Sequence, residues 1–153
     1  MENTQTSLRQ YIEQERGREA WQDVLNIKQD AAAPATLQKE YRSLARGLNA
    51  MIQINGLGQT LGFLKAKGKN DTNKAHFRLL RDLSNWMAGE DQEHRPHFTA
   101  ANKEILSGDD GFLKWVTHAR TTSADYRRAT TECLAFGVWL RRFAEAELEG
   151  DES

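Results

Sequence analysis

Long stretches of this 153-residue chain contain no residue that would interrupt a helix. The chain has two prolines, Pro34 and Pro96, and proline is the residue that breaks helix interiors most strongly. Alanine and leucine, which are common in helices, number 34 together, whereas the strand-favouring valine and isoleucine number 8. We therefore expect an all-α fold with no sheet.

Apolar residues in these stretches recur at steps of three and four, as they do on the buried face of a helix. Two such series are long, and we expect the second to form the longest and most central helix. The first series is Leu37, Tyr41, Leu44, Leu48 and Met51, and the second is Tyr126, Ala129, Cys133, Phe136, Leu140 and Phe143. Thr36 and Ser123 are predicted to cap the two helices at their N-termini.

Five further helices are predicted, with short links that suit antiparallel neighbours. They are marked by Leu8 to Leu25, Leu57 to Lys67, Phe77 to Met87, Phe98 to Leu106 and Phe112 to His118. The result is a compact bundle of about five to seven helices in a single all-helical domain, residues 1–153. Residues 1–35 hold the N-terminal helix. The acidic tail, residues 145–153, is expected to fray because negative charge is unfavourable at a helix C-terminus.

Composition excludes several classes of protein. An apolar fraction of 39% supports a folded core rather than intrinsic disorder. No apolar run approaches the ~20 residues that cross a bilayer, and the first residues lack the pattern of a secretory signal. We therefore expect a cytoplasmic protein. Cys133 is the single cysteine of the sequence, so an internal disulfide is excluded.

The charges are unevenly distributed along the chain, although the net charge is -1. Residues 36–81 carry nine basic and two acidic side chains, whereas residues 82–153 carry eight basic and fourteen acidic ones. Within one domain this asymmetry indicates a basic face opposite an acidic one, as in a protein that meets a polyanion on one side. Ordinary variation of surface charge is the alternative interpretation.

No pattern of residues indicates catalysis, and we expect no cofactor and no metal. Gly56, Gly58 and Gly62 miss the spacing of a dinucleotide-binding loop and follow no predicted strand, so we interpret them as a tight turn between helices. Asp109-Asp110-Gly111 lacks the alternating oxygen ligands of a calcium loop. Cys133 lies on an apolar stripe, where a buried thiol is inert. The tryptophans are expected in the core: Trp21, Trp86, Trp115 and Trp139.

Basic residues placed opposite the apolar stripes form the one pattern that suggests binding. Lys39, Arg42 and Arg46 recur at steps of three and four on one face of their predicted helix. The other basic rows are Lys65, Lys67 and Lys69; Lys74, Arg78 and Arg81; and, in the last helix, Arg127 and Arg128 followed by Arg141 and Arg142. Such rows would bind the phosphates of a nucleic acid without reading its sequence. The pattern fits a solvated basic face equally well.

Two segments resemble a known family. One is Tyr41 to Lys67, YRSLARGLNAMIQINGLGQTLGFLKAK, and the other is Tyr126 to Leu148, which contains RRAT, LAF, WL and RRFAEAEL. In order and spacing they are similar to the small subunit of the CRISPR type III-B Cmr effector complex. The chain departs from that family at Asn49, where proline is expected, and at Gly62, where alanine is expected. Residues Asp71 to Thr122 are left unmatched.

The resemblance implies an all-helical, non-catalytic subunit that assembles in several copies as a filament along the guide RNA and its target RNA, beside the backbone and large Cmr subunits, in antiviral defence. The candidate RNA-binding residues are Lys39, Arg42, Arg46, Lys65, Lys67, Lys74, Arg78, Arg141 and Arg142. A helical protein-interaction scaffold without direct RNA contact is the alternative function.

Overall fold

The computed structural model describes residues 4–88, 103–106 and 108–150. These residues form seven helices and contain no strand, which confirms the predicted all-α fold. The helices are α1 (Thr4–Lys28), α2 (Thr36–Asn55), α3 (Leu57–Gly68), α4 (Ala75–Ala88), α5 (Lys103–Leu106), α6 (Gly111–Val116) and α7 (Ser123–Glu147). Within these ranges no helix is sufficiently long and apolar to span a membrane. The predicted break at residues 89–96 and the predicted helix start at Phe98 lie outside the described residues.

The core lies where α7 packs along both α1 and α2, and where α4 packs on α2 and α3. The predicted stripe of α7 is fully buried at Ala129, Cys133, Phe136 and Leu140. On α2, Leu37, Tyr41 and Leu48 are buried, and Leu44 and Met51 are half-buried. Burial raises the pKa of the Cys133 thiol far above its usual range, which keeps the thiol protonated and unreactive.

Two of the four tryptophans lie in the core as predicted, and Trp21 does not. Trp86 and Trp115 are almost fully buried. Trp21 is 37% exposed and packs edge-on against Phe143, with ring centroids 4.9 Å apart. Trp139 is half-buried and contacts the same Phe143 ring. Trp21 therefore lies at the rim of the α1–α7 interface, because helical spacing predicts the face of a residue but not how far the interface extends across that face.

A partly buried ion pair joins α1 to α7. Arg16 donates through Nε and Nη2 to the two carboxylate oxygens of Glu132, at 2.5 and 2.9 Å. The indole N–H of Trp86 donates to the same carboxylate at 3.0 Å. The i, i+4 spacing of Arg128 and Glu132 would suit a surface pair on α7, but Arg128 pairs with Asp125 instead. Glu132 faces α1, where a bidentate arginine is the stronger partner.

The glycine-rich segment forms the tight turn that was predicted between α2 and α3. Gly56 has a φ of 89°, a backbone conformation that residues other than glycine rarely adopt. The backbone N–H of Gly58 donates to the Tyr126 hydroxyl of α7 at 2.9 Å. The turn is thereby anchored to the last helix.

The two predicted N-caps are each displaced by one residue. Helix α2 already includes Thr36, and Ala35 precedes it without a side-chain cap. Helix α7 already includes Ser123, and its N-cap is Thr122, whose hydroxyl accepts a hydrogen bond from the backbone N–H of Asp125 at 3.1 Å. At α7 the two adjacent residues, Thr122 and Ser123, are both good N-caps, so the local sequence does not determine which of them precedes the helix.

The end of α7 is held in place by contacts with earlier helices. Fraying was expected from Glu145, but α7 continues to Glu147, and Lys28 donates to the Glu147 carboxylate at 2.7 Å. Leu148, directly after the helix, is only 6% exposed. Burial of this side chain offsets the unfavourable position of acidic residues at a helix C-terminus. The predicted fraying therefore does not begin at Glu145.

Candidate nucleic-acid interface

Three basic residues of α2 and one of α7 line a single open groove, which we call the α2–α7 groove. Its volume is about 440 Å³, and its lining residues are Lys39, Arg42, Ser43, Arg46, Gly47, Arg141 and Gly150. Two basic rows that lie far apart in the sequence thus meet in space.

The position of the groove follows from the way α2 is rotated in the bundle. Leu37, Tyr41 and Leu48 are buried on one face of α2, and this burial fixes the orientation of the helix about its axis. Lys39 and Arg46, which belong to the opposite face, consequently point out of the core. Sequence patterning thus predicts the face of α2 on which this row lies, and the structure shows Lys39 exposed and Arg46 partly exposed there.

The partner row on α7 is positioned by a close approach of the two helices. The Asn49 side-chain N–H donates to the Leu134 carbonyl oxygen at 3.0 Å. Gly137 lies beside the Asn49 amide, and a Cβ at that position would clash with the amide oxygen. Asn49 is one of the two departures from the family pattern, and the expected proline would lack this donor. The contact holds α7 alongside α2, so that Arg141 comes to lie across from Arg46.

An acidic residue lies between the two rows. The Glu145 carboxylate is 3.6 Å from Arg46 Nε and accepts a hydrogen bond from Arg141 Nε at 3.1 Å. The side-chain exposures are 33% for Arg46 and 53% for Arg141. Ion pairs exposed to this degree contribute little to stability, so both guanidinium groups remain available to a stronger anion.

Lys65 lies outside the α2–α7 groove. Its ammonium group donates to the Asp110 carboxylate at 2.9 and 3.0 Å and to the Asn70 side-chain oxygen at 3.0 Å. These contacts connect α3 with the start of α6. Lys65 is therefore partly neutralised by the chain itself.

Lys67 and Lys74 are not among the residues that line the α2–α7 groove. Their charges instead affect the pKa of the His76 imidazole. Partial burial lowers the pKa of His76, the nearby Glu40 raises it, and the charges of Lys67 and Lys74 lower it further. The His76 ring also packs edge-on against Phe63, with centroids 5.5 Å apart. The charges of the two lysines and of the Glu40 carboxylate therefore all act on His76, near α3 and α4.

Arg78 is a structural residue in this conformation. Its side chain is only 7% exposed, and Nη1 donates to the Asp30 carboxylate at 2.8 Å and to the Thr72 carbonyl oxygen at 3.2 Å. The hydrogen bond from Arg78 is the largest cause of a lowered pKa at Asp30. The guanidinium fastens α4 to the segment just after α1. Arg78 is therefore not part of the proposed RNA contact.

Arg142 points away from its sequence neighbour Arg141. It lines a separate groove between α1 and α7, together with Glu13, Val138 and Trp139. Successive residues of a helix lie about 100° apart, and here that rotation directs Arg141 to the α2–α7 groove and Arg142 to the groove beside α1. Of the nine candidate residues, the structure brings four together: Lys39, Arg42, Arg46 and Arg141.

Comparison with known proteins assigns the chain to a family. The family model described as CRISPR-associated protein (Cas_Cmr5) matches residues 12–147 of the chain. The chain belongs to this Cmr5 family. A curated relative, the CRISPR system Cmr subunit Cmr5 of Thermus thermophilus, is 28% identical over 131 residues, which cover 86% of this chain and 95% of the relative. The family resemblance predicted from the sequence is confirmed.

The Cmr5-family match extends beyond the two segments on which the resemblance was recognised. It includes residues 71–122, which the resemblance had left unmatched. It also includes the whole of α2 and α7, and hence all four cations of the α2–α7 groove. The four cations therefore lie within the matched region, whereas Gly150 lies beyond it.

Sequence reasoning missed three residues of the groove in this Cmr5-family chain. Ser43 and Gly47 lie four and eight residues after Lys39, on the same face of α2, and that spacing could have identified them. Gly150 could not have been found in this way, because it follows the last helix and reaches the groove through tertiary contacts.

The chemistry of the α2–α7 groove is that of an anion site. Arginine offers a planar set of donors that matches phosphate oxygens, and lysine adds a compact point charge. Among the residues that the structure describes, no aromatic side chain lines the groove, so these residues offer bases no stacking surface. Elsewhere in the described residues, no group of three or more His, Cys, Asp or Glu side chains is placed to hold a metal ion.

Proposed function

We propose that this chain is a non-catalytic subunit of a type III-B Cmr CRISPR effector complex in antiviral defence. It assembles there with other Cmr subunits and with copies of itself in a filament, and its α2–α7 groove contacts the phosphate backbone of the guide RNA or target RNA. Membership of the Cmr5 family supports the assembly. The convergence of four cations in one open groove is the observation that carries the RNA contact.

The length of the basic row suits a polyanion better than a single phosphate. Lys39 and Arg46 are seven residues apart, which corresponds to about 10 Å along the axis of α2. Successive phosphates of a nucleic-acid strand follow one another within this length, so the row can contact more than one phosphate of the same strand. Arg141 widens the positive surface from the side of α7.

The groove would hold RNA by its backbone and leave sequence recognition to base pairing. Cations bind phosphates without reading bases, and in RNA-guided complexes the guide supplies the specificity. The described lining residues also include no histidine, cysteine or carboxylate that could act as a general base. Binding without chemistry is therefore the activity that these residues support best.

The RNA contact is tested by measuring the affinity of the purified chain for a single-stranded RNA at several salt concentrations. Wild-type affinity should fall steeply with salt, because phosphate contacts release counterions. Arg42→Ala combined with Arg46→Ala should weaken binding about ten- to hundredfold at low salt. The double variant should also reduce the slope of log K against log salt by about 1.4, since each single-strand contact contributes about 0.7.

Arg9→Ala combined with Arg18→Ala is the matched control, because both arginines are exposed on α1 and neither lines the groove. The control removes the same net charge but leaves the groove intact. It should therefore cost much less affinity and leave most of the slope of log K against log salt. Equal losses in the two double variants would show that only net charge matters and would overturn the groove assignment.

One observation favours the alternative function, a protein-interaction scaffold without RNA contact. Trp21 and Val138, at 37% and 44% exposure, leave apolar surface uncovered on α1 and α7. Docking of another protein on such a surface would release few counterions and would depend weakly on salt. A wild-type chain that fails to bind RNA at low salt would favour the scaffold.

A further inference from the structure

The segment that follows α7 folds back over the α2–α7 groove. Leu148 anchors it through burial, with 6% of its surface exposed. The backbone N–H of Glu149 then donates to the side-chain oxygen of Gln38 at 3.1 Å, and Gln38 directly precedes Lys39 on α2. Gly150, the next residue, forms part of the groove lining. The backbone of this segment thereby covers part of the basic surface.

Gly150 lies directly against Arg42. A Cβ built on Gly150 would come within 2.7 Å of Arg42 Cδ and 3.0 Å of Arg42 Nη1, distances shorter than packed side chains allow. The backbone of the segment therefore occupies space beside the guanidinium, on the side that faces the groove. A phosphate bound by Arg42 from the groove would need part of this space.

An acidic contact with the groove is made from within α7. Glu145 lies 3.6 Å from Arg46 and 3.1 Å from Arg141, so one carboxylate is shared by two of the groove cations. Together, Glu145 and residues 148–150 contact three of the four cations that line the groove.

We propose that Glu145 and the segment 148–150 form an intramolecular competitor of RNA phosphate, an autoinhibitory contact that lowers the affinity of the α2–α7 groove until a polyanion displaces it. This inference rests on the proposed RNA contact of the groove. It adds a regulatory element, supplied by the chain's own carboxylates, to that contact.

The balance of forces makes this contact strong enough to compete and weak enough to be displaced. Covalent attachment gives Glu145 and the segment 148–150 a high local concentration at the groove. The two Glu145 ion pairs are partly exposed and therefore worth little individually. A single small anion gains too little to displace the segment, whereas an RNA strand presents several phosphates to the same row. The groove would consequently discriminate in favour of polyanions.

The first test is the affinity of Glu145→Gln for a single-stranded RNA at low salt. Releasing Arg46 and Arg141 should tighten binding about two- to fivefold, the range of a surface ion pair. Glu147→Gln is the matched control, since it makes the same charge change on the same helix but removes a carboxylate that pairs with Lys28. The control should leave RNA affinity close to that of wild type.

A second variant ends the chain at Leu148, which keeps the buried anchor and removes the residues that reach Gln38 and Arg42. Its RNA affinity should also rise at least about twofold. Unchanged affinity in Glu145→Gln and in the truncation, or equal gains in Glu145→Gln and Glu147→Gln, would overturn the autoinhibition while the wild type still binds RNA. Absence of RNA binding in every variant, including wild type, would overturn the proposed function and this inference with it.

Discussion

At the scale of single residues, Asp82 is a buried carboxyl group, and burial disfavours its charged form. It is 6% exposed, and the hydroxyl of Tyr41 donates to its carboxylate at 2.6 Å. Burial raises the pKa of Asp82 from 3.8 to about 7, although the Tyr41 hydrogen bond and the charges of Arg81 and Arg78 lower it; Glu19 of α1 raises it. Because the folded pKa exceeds the unfolded one, the native state retains a proton that unfolding releases.

Asp82 should therefore make the protein less stable as the pH rises. Its stabilising contribution is complete below the unfolded pKa of 3.8 and is lost as the pH passes through about 7. Asp82→Asn keeps a neutral acceptor for Tyr41, so the free energy of unfolding of the variant relative to wild type should increase between about pH 5 and pH 8. The increase should be a few kcal/mol, at about 1.4 kcal/mol per pKa unit.

Urea denaturation of both proteins at each pH measures this difference. Asp23, which also acts on Tyr41 from α1, is present in both proteins and does not distinguish them. A constant difference between variant and wild type across this pH range would show that Asp82 does not titrate there.

At the scale of helices, two glycines of α3 occupy opposite environments. A Cβ on Gly68 would lie 2.6 Å from the backbone nitrogen of Phe77 and 2.8 Å from its Cα, whereas a Cβ on Gly62 would meet no atom within 4 Å. Because Gly68 has no side chain, α3 and α4 can approach each other closely at this position. Gly62 has no such role.

The same substitution should consequently have opposite effects at the two glycines. Gly62→Ala should raise the free energy of unfolding by about 1 kcal/mol, because alanine is the better helix former. Gly68→Ala should lower it by about 1–3 kcal/mol, because the added methyl group forces the backbones of α3 and α4 apart. Denaturation curves of the two variants provide the measurement. A loss of stability in both, or a gain in both, would contradict this difference in packing.

At the scale of the whole molecule, a basic groove and an exposed apolar area lie on different sides of α7. The α2–α7 groove gathers Lys39, Arg46 and Arg141, whereas the α1–α7 side exposes Trp21 and Val138. A subunit that lies between an RNA strand and neighbouring proteins needs one surface of each kind. The two surfaces therefore fit the proposed place of the chain in a ribonucleoprotein assembly.

Purification of the tagged chain from its native host tests that assembly directly. The large and backbone Cmr subunits and a CRISPR-derived guide RNA should co-purify with the wild-type chain. The Arg42→Ala, Arg46→Ala variant should retain the protein partners and lower the amount of bound RNA, because the two side chains line the groove proposed to contact RNA and are not among the buried core residues. Recovery of the chain without any Cmr subunit would overturn the proposed assembly.

The candidate site was predictable in part, and the reason differs from residue to residue. Lys39, Arg42 and Arg46 could be assigned to one surface because their spacing is set by the geometry of a single helix. Arg78 has the same spacing relative to Lys74, yet it is buried against Asp30. A pattern within one helix identifies a face, but it contains no information about which other helix covers that face.

The sequence by itself determined the helical fold, the apolar stripes, the family and the basic row of α2, since all of these depend on local periodicity or on ordered motifs. Tertiary structure alone decided that Arg141 joins this row, that Arg142 and Lys65 do not, and that Glu145 and Gly150 occupy the groove between them. Contacts between segments distant in the chain depend on how whole helices pack, and a one-dimensional pattern does not specify that packing.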